Sequence, residues 1–134
     1  MGYCMSQREA DFAIHAKDFD KALKAIQGLH GSESIADSGG RHFSWVGYEF
    51  YKIANLAKMM EEWRWDLELD EDGNAVGIHF QGEKIGDDQV LFDAIAPWVK
   101  EGSYIEMHGE DGAIWRWTFD GEKCIEKSAK ITFE

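Results

Sequence analysis

Glu71-Asp72-Gly73-Asn74-Ala75-Val76-Gly77-Ile78-His79-Phe80-Gln81-Gly82-Glu83-Lys84 aligns without gaps to Glu110-Asp111-Gly112-Ala113-Ile114-Trp115-Arg116-Trp117-Thr118-Phe119-Asp120-Gly121-Glu122-Lys123, and seven of the fourteen positions are identical. Each segment opens on acidic and glycine turn chemistry and continues with apolar residues at every second position, the pattern of a tight turn entering a half-buried strand. Val76, Ile78 and Phe80 superpose on Trp115, Trp117 and Phe119, so the match preserves an inward face, and all six side chains are expected to be buried. Upstream of the first turn Trp63, Trp65, Leu67 and Leu69 point one way, while Arg64, Asp66, Glu68 and Asp70 point the other. Ile105 and Met107 form the matching inward pair of the second hairpin, one residue out of step, which reads as a second turn one residue longer. The two hairpins, 65–81 and 104–120, are expected to be structurally equivalent. Asp-Gly turns also recur through ordinary turn chemistry, so the recurrence specifies architecture and no reaction.

Working outward, a helix precedes each hairpin. Asn55 is a suitable cap for a helix in which Leu56, Met59, Met60 and Trp63 fall at i, i+3, i+4 and i+7. Asp87 starts another, which presents Val90, Leu91, Ala94, Ile95 and Trp98 and which Pro97 should kink or end by removing a donor. Nearer the N-terminus Phe12, Ile14 and Ala16 alternate as a strand, and Asp18 caps a helix striped by Phe19, Ala22, Leu23, Ile26 and Leu29. Gly31 to Gly40 reads as a mobile surface loop, Phe43 to Val46 as a short strand, and Ala129, Ile131 and Phe133 as one face of a last strand. The fold class expected is α+β: a single domain spanning 1–134, an antiparallel sheet with helices packed on one face, containing two helix-hairpin (αββ) units over about 55–84 and 87–123.

Composition narrows the function classes. The chain has 134 residues, 14 Lys+Arg against 26 Asp+Glu, a formal net charge of -12 and 44% hydrophobic residues with six Trp, which excludes intrinsic disorder. No apolar run approaches the roughly 20 residues of a membrane helix. The charge repels phosphates, so direct binding to nucleic acid or to an anionic membrane is not expected. Met1 to Arg8 lacks the apolar stretch of a secretory signal, which makes the cytoplasm the expected compartment and Cys4 and Cys124 reduced thiols. The start fits the loose myristoylation pattern at Gly2, but no basic patch follows to supply a second membrane signal, and an unmodified terminus is the reading taken.

Motif by motif, catalysis finds little support. Asp70-Glu71-Asp72-Gly73 places its glycine too early for an EF-hand loop, and position 79 is His where that loop needs Glu. The five His at 15, 30, 42, 79 and 108 show no ligand spacing, so no metal and no cofactor are expected. There is no Gly-x-Ser-x-Gly elbow and no phosphate-cradling glycine loop. Acidic residues occupy seven of the twelve positions from 61 to 72, and Asp66, Glu68 and Asp70 share one strand face, which makes them the leading candidates for binding a partner. Arg64 and Arg116 each sit inside a Trp-Arg-Trp triplet, pointing away from their Trp neighbours; they are further binding candidates or simply cross-strand partners of the acids. Trp65 and Trp117, with His79 and His108, are the candidate lining of an aromatic pocket between the hairpins, although Trp at this spacing is more often core.

The run Phe80-Gln81-Gly82-Glu83-Lys84-Ile85-Gly86-Asp87-Asp88, then Gly102-Ser103-Tyr104-Ile105-Glu106-Met107 and Gly109-Glu110-Asp111-Gly112 with Trp115-Arg116-Trp117, resembles a family of small acidic bacterial and phage proteins. That resemblance implies a cytoplasmic origin and brings no assigned reaction, cofactor or functional residue. The function expected is therefore a small acidic protein that binds another protein, of the inhibitor, immunity or anti-defence kind, without catalysis. The alternatives are a small-molecule sensor built on the aromatic pocket, and a small enzyme with a His/carboxylate site.

Overall fold

The computed structural model describes residues 3–30, 43 and 45–128. Among these residues three α-helices and six strands follow in order: β1 (Met5–Asp11), α1 (Phe19–Gly28), α2 (Leu56–Glu62), β2 (Trp65–Leu69), β3 (Ala75–Phe80), α3 (Asp88–Ile95), β4 (Tyr104–Gly109), β5 (Ile114–Phe119) and β6 (Cys124–Ser128). They form a single α+β domain with two antiparallel sheets, one of strand order β1-β4-β5-β6 and a second made of β2 and β3. Ala22, Leu23 and Ile26 of α1, Leu56, Met59 and Met60 of α2, and Leu91, Phe92 and Ile95 of α3 share one core with Ile105, Met107, Trp117 and Phe119 of the sheet. The opposite sheet face carries Ser6, Arg8, His108 and Arg116, all exposed.

Local chemistry sets several boundaries as expected. Asn55 Oδ1 accepts from the Lys58 amide at 3.1 Å and so caps α2. Pro97 ends α3, and the chain continues as a single 3-10 turn, Ala96–Trp98. Asp18 holds the N-cap position of α1 without a side-chain capping bond.

In place of the expected single sheet the strands form two, which meet along β1 and β3. β1 runs antiparallel to β3, joined at one end by Met5 N to Glu83 O (2.9 Å) and Ile85 N to Tyr3 O (2.8 Å). At the other end Ile14 and Ala75 exchange both backbone bonds at 3.1 and 2.9 Å. Between these points the ladder is replaced by the Gln7 side chain, whose Nε2 donates to Ile78 O and whose Oε1 accepts from Phe80 N, both at 2.8 Å. A primary amide carries one donor and one acceptor side, so it can stand in for a strand's own peptide group. The strand gives way here because β1 is bulged against β4 at Arg8, the residue skipped between the pairs Gln7↔Met107 and Glu9↔Glu106. A slot of about 630 Å³ lies between the two strands.

Several expectations are corrected. The first strand lies at Met5–Asp11, upstream of the alternating Phe12, Ile14 and Ala16; Phe12 and Ile14 are buried, but Ile14 makes only isolated bridges, to Ala75 and Val99. In place of a strand from Phe43 to Val46, Trp45 and Val46 lie in a turn in which Val46 N bonds Phe43 O at 3.2 Å, while Ser44 lies outside the described residues. The turns of the two hairpins are of equal length. Asp70 N bonds Asn74 O and Gly73 N bonds Asp70 O, just as Gly109 N bonds Ala113 O and Gly112 N bonds Gly109 O. Gly73 and Gly112 both adopt the left-handed conformation these turns require, at φ 83° and 87°. What puts the hairpins out of step is a bulge at Val76, since Glu68 pairs with Gly77 and Leu69 with Ala75. The bulge turns Ala75 into the core and leaves Val76 exposed, and Phe80 is only half-buried, so neither is the buried residue expected. The order helix-strand-strand occurs twice, but the hairpins lie in different sheets and one alone is bulged, so the match does not extend beyond the turns. The loop Gly31 to Gly40 and the strand of Ala129, Ile131 and Phe133 lie outside the described residues.

Candidate functional site

β2 carries the acidic strip, and the structure divides it by role. Asp70 belongs to the turn: its Oδ1 accepts from Asp72 N and Asn74 N, both at 2.9 Å, and its Oδ2 from Asn74 Nδ2 at 3.2 Å. These donors, the Asn74 amide first, hold its carboxyl below the usual carboxylate range. Glu62 accepts from Gly47 N at 2.7 Å and ties α2 to the preceding turn. Glu68 reaches His79 Nε2 at 3.2 Å across the hairpin, with both side chains more than half exposed. Asp66 lies opposite His79, half-buried, while Glu61, Glu71 and Asp72 are exposed.

Apolar surface lies inside this acidic rim. Leu69 and Val76 are each 47% exposed, on opposite strands at the bulge, where Leu69 pairs with Ala75. Val76 also lines two clefts: the slot beside β1, and a second cleft of about 330 Å³ walled by Ile14, Ala75 and Trp98 with Asp18, Asp70 and Lys100. The end of the hairpin thus exposes one large apolar side chain on each strand, with Glu68, Glu71 and Asp72 exposed nearby in sequence. Among the described residues the edge of β2 away from β3 is unpaired.

The remaining candidates are placed elsewhere. Arg116 pairs directly with Glu106 across β4 and β5, its Nε 2.8 Å from Glu106 Oε1, and Arg8 Nε meets the other oxygen at 3.0 Å. The Arg116 guanidinium also lies 4.3 Å from the centre of the Tyr104 ring, and Tyr104 donates to Glu9. Arg116 is therefore a cross-strand partner within the open sheet face. His108 Nδ1 contacts Ser6 Oγ at 3.0 Å, so the two histidines are bonded to different strands and form no common cluster. No group of three or more His, Cys, Asp or Glu suited to a metal ion occurs among the described residues.

The pocket expected between Trp65 and Trp117 is closed. Phe92 of α3 fills it, with its ring centre 5.0 Å from each indole, and both Trp are core residues. Their polar edges are satisfied: Trp117 Nε1 donates to Gln89 Oε1 at 2.8 Å and Trp65 Nε1 to Asp88 Oδ1 at 2.9 Å. Asp88 is a residue that sequence reasoning passed over. It is buried, accepts from Gly86 N at 2.9 Å, and lies 3.4 Å from Nη2 of Arg64, the last of the candidates. The signal was present, because Asp88 shares the helical stripe of Leu91, Phe92 and Ile95 at i, i+3, i+4 and i+7, and an acid on a buried stripe needs a partner.

No family model, no curated protein and no solved structure matches this chain. Among the described residues no helix is long and apolar enough to cross a membrane.

Proposed function

We propose that this protein is a non-catalytic acidic module that binds another protein, in the manner of an inhibitor or immunity factor, through the tip and free edge of the β2–β3 hairpin. One observation carries the reading: Leu69 and Val76 are each 47% exposed, one on each strand at the bulge, in a hairpin that also exposes Glu68, Asp70, Glu71 and Asp72. An apolar centre with a charged rim is the anatomy of a binding patch, the centre supplying affinity and the rim steering and register. The partner's complementary surface is basic and concave, because the net charge of -12 accelerates encounter with a cation-lined groove and slows encounter with phosphate.

The test compares three forms of the full chain in capture from extracts of the source cell, at low and at moderate salt. Leu69→Ser with Val76→Ser removes the apolar centre, and Asp66→Lys with Glu68→Lys reverses the rim. Asp70 is left intact because it holds the turn. Both double variants should lose the partner that the unaltered chain retains, and salt should weaken retention by that chain. Retention of the same partner at unchanged affinity by both variants, with folding intact, assigns the hairpin a solvated role and overturns the reading.

A further inference from the structure

Among the described residues two that are not glycine adopt a left-handed backbone, Trp45 at φ 68° and Arg64 at φ 73°. A residue with a Cβ holds that conformation only where its surroundings impose it, and such residues gather at ligand sites. Both line the same cleft, of about 300 Å³, with Gly82, Glu83 and Lys84. It opens beside the start of β2, at the end opposite the hairpin tip.

The cleft is shaped around the guanidinium. Arg64 Cζ lies 5.3 Å from the centre of the Phe80 ring and 5.9 Å from that of Trp45. Its Nη1 donates to Lys84 O, and a Cβ on Gly82 would stand 2.7 Å both from that nitrogen and from the Phe80 ring, so a side chain there would displace one of them. Trp45 is 56% exposed, which leaves much of its indole uncovered. In a strongly acidic chain this wall is an exception, lined by two basic residues, Arg64 and Lys84, and one acidic one, Glu83, with Asp88 beside Arg64.

The guanidinium makes a long ion pair with Asp88. Its Nη2 stands 3.4 Å from both Asp88 oxygens, longer than the 2.7–2.9 Å or so of a strong charge-assisted bond. Its Nε is buried with no hydrogen-bond partner among the described residues. Burial pushes Arg64 down from the usual arginine range, and the nearby Asp88 and Asp87 do not restore it. An anion entering the cleft would face the Nη hydrogens not used by Lys84 O and Asp88.

We propose that the cleft of Trp45, Arg64 and Lys84 binds a small planar aromatic anion, with its ring against the Trp45 indole and its carboxylate or phosphate between Arg64 and Lys84. A flat ring uses the exposed indole face, and the anionic group uses two donors that no neighbouring acid fully occupies. Arg64 is suited to either anionic group because its fork presents paired N–H donors.

The test uses the full chain and follows the indole N–H resonance of Trp45, assigned with Trp45→Phe, during titration at low ionic strength with benzoate, phenyl phosphate, inorganic phosphate and benzyl alcohol. At least one aromatic anion should give a saturable shift at millimolar concentration, with benzyl alcohol and inorganic phosphate each about tenfold weaker or more. The ratio of benzoate to phenyl phosphate affinity identifies which anionic group the cleft prefers. Lys84→Met should weaken the aromatic anion about fivefold without moving the urea midpoint, and Arg64→Lys, which keeps the charge and loses the fork, should weaken it further. If neither aromatic anion moves the Trp45 resonance, if benzyl alcohol binds as well, or if Lys84→Met binds with unaltered affinity, the assignment is wrong.

Discussion

Replacing Asp88 with Ala should destabilise the protein by about 3–5 kcal/mol, the range seen when one partner is removed from a buried charged pair. At the 3.4 Å separation of Arg64 and Asp88, opposite charges attract by about 5 kcal/mol at an effective dielectric near 20. Desolvation of the two ions is of comparable size, and at Arg64 it prevails, since burial lowers the arginine pKa despite the two neighbouring acids. The ion pair itself therefore contributes little. What Ala removes is an acceptor in a dry place, because Asp88 is 1% exposed and serves both Trp65 Nε1 and Gly86 N at 2.9 Å. Each orphaned donor costs about 1–3 kcal/mol, and the guanidinium loses its nearest anion as well. Asp88→Asn retains the shape and one acceptor oxygen, so it should cost about 1–3 kcal/mol and fall between Ala and the unaltered chain. Urea unfolding followed by Trp fluorescence, with a common m value, measures both variants, and the Trp65 indole N–H resonance reports the lost bond directly. A value for Asp88→Ala within about 1 kcal/mol of the unaltered protein, with the Trp65 resonance unmoved, would refute this reasoning.

Other outcomes are fixed by single observations. Val76 is 47% exposed and Ile78 is 1% exposed, so Val76→Ser should change stability by less than about 0.5 kcal/mol while Ile78→Ala costs about 2–5 kcal/mol; the opposite order in urea unfolding would show that Val76 faces the core. Glu106 is held below the usual carboxylate range by its bond to Arg116, and Asp120 by the Lys123 amide. Carboxyls depressed in this way stabilise the fold above their unfolded values, and that stability is lost as pH falls through the lower folded ones. The melting temperature should thus drop below about pH 4, more shallowly in Glu106→Gln and Asp120→Asn, and variants that fall as steeply as the parent would show that these groups do not carry the acid limb. Burial, the largest cause, pushes the Cys124 thiol up to about 12 from 9.0, so it should resist DTNB at pH 8 in the native state and react fully in urea. Because the unfolded thiol ionises first, its contribution to stability is present below about pH 9 and is lost as pH rises toward 12. Equal reaction rates for Cys124 in native and unfolded protein would contradict its burial.

Features decided by neighbours in the chain were readable in advance. The Asn55 cap, the stop at Pro97 and the two glycine turns each depend on a few consecutive residues whose conformational preferences are strong. β1 was not readable in the same way, because the bulge at Arg8 breaks the period of two that identifies a strand. The alternation of Phe12, Ile14 and Ala16 has the period of a strand, although it marks only where the chain turns inward toward Ala75 and Val99. The opening between the two sheets was hidden for a related reason. It depends on Gln7 finding Ile78 and Phe80, residues more than seventy positions away, and an isolated Gln carries no sign of such a partner.

The surface at the hairpin tip follows from one residue that alternation alone misplaces. Continued without interruption, the period of two through Val76, Ile78 and Phe80 would bury Val76 and leave Ala75 outside. The bulge inverts that pair, and the small Ala75, with no exposed surface, then fits against Ile14, where the two backbones exchange hydrogen bonds at 2.9 and 3.1 Å. Such an approach favours a small side chain, which gives a physical reason for the bulge: close joining of β3 to Ile14 requires Ala75 to face inward, and the larger Val76 is displaced to solvent. The exposed Val76 and the join between the two sheets are then consequences of the same extra residue. Deleting Val76 should restore regular alternation with every pair kept, since Leu69 still faces Ala75, Glu68 still faces Gly77 and Ile78 stays inward. A deletion variant that still folds should therefore keep slow hydrogen exchange at the Ile14 and Ala75 amides while losing the exposed Val76. Loss of protection at both amides would mean that the join depends on the bulge itself and not on Ala75 facing inward.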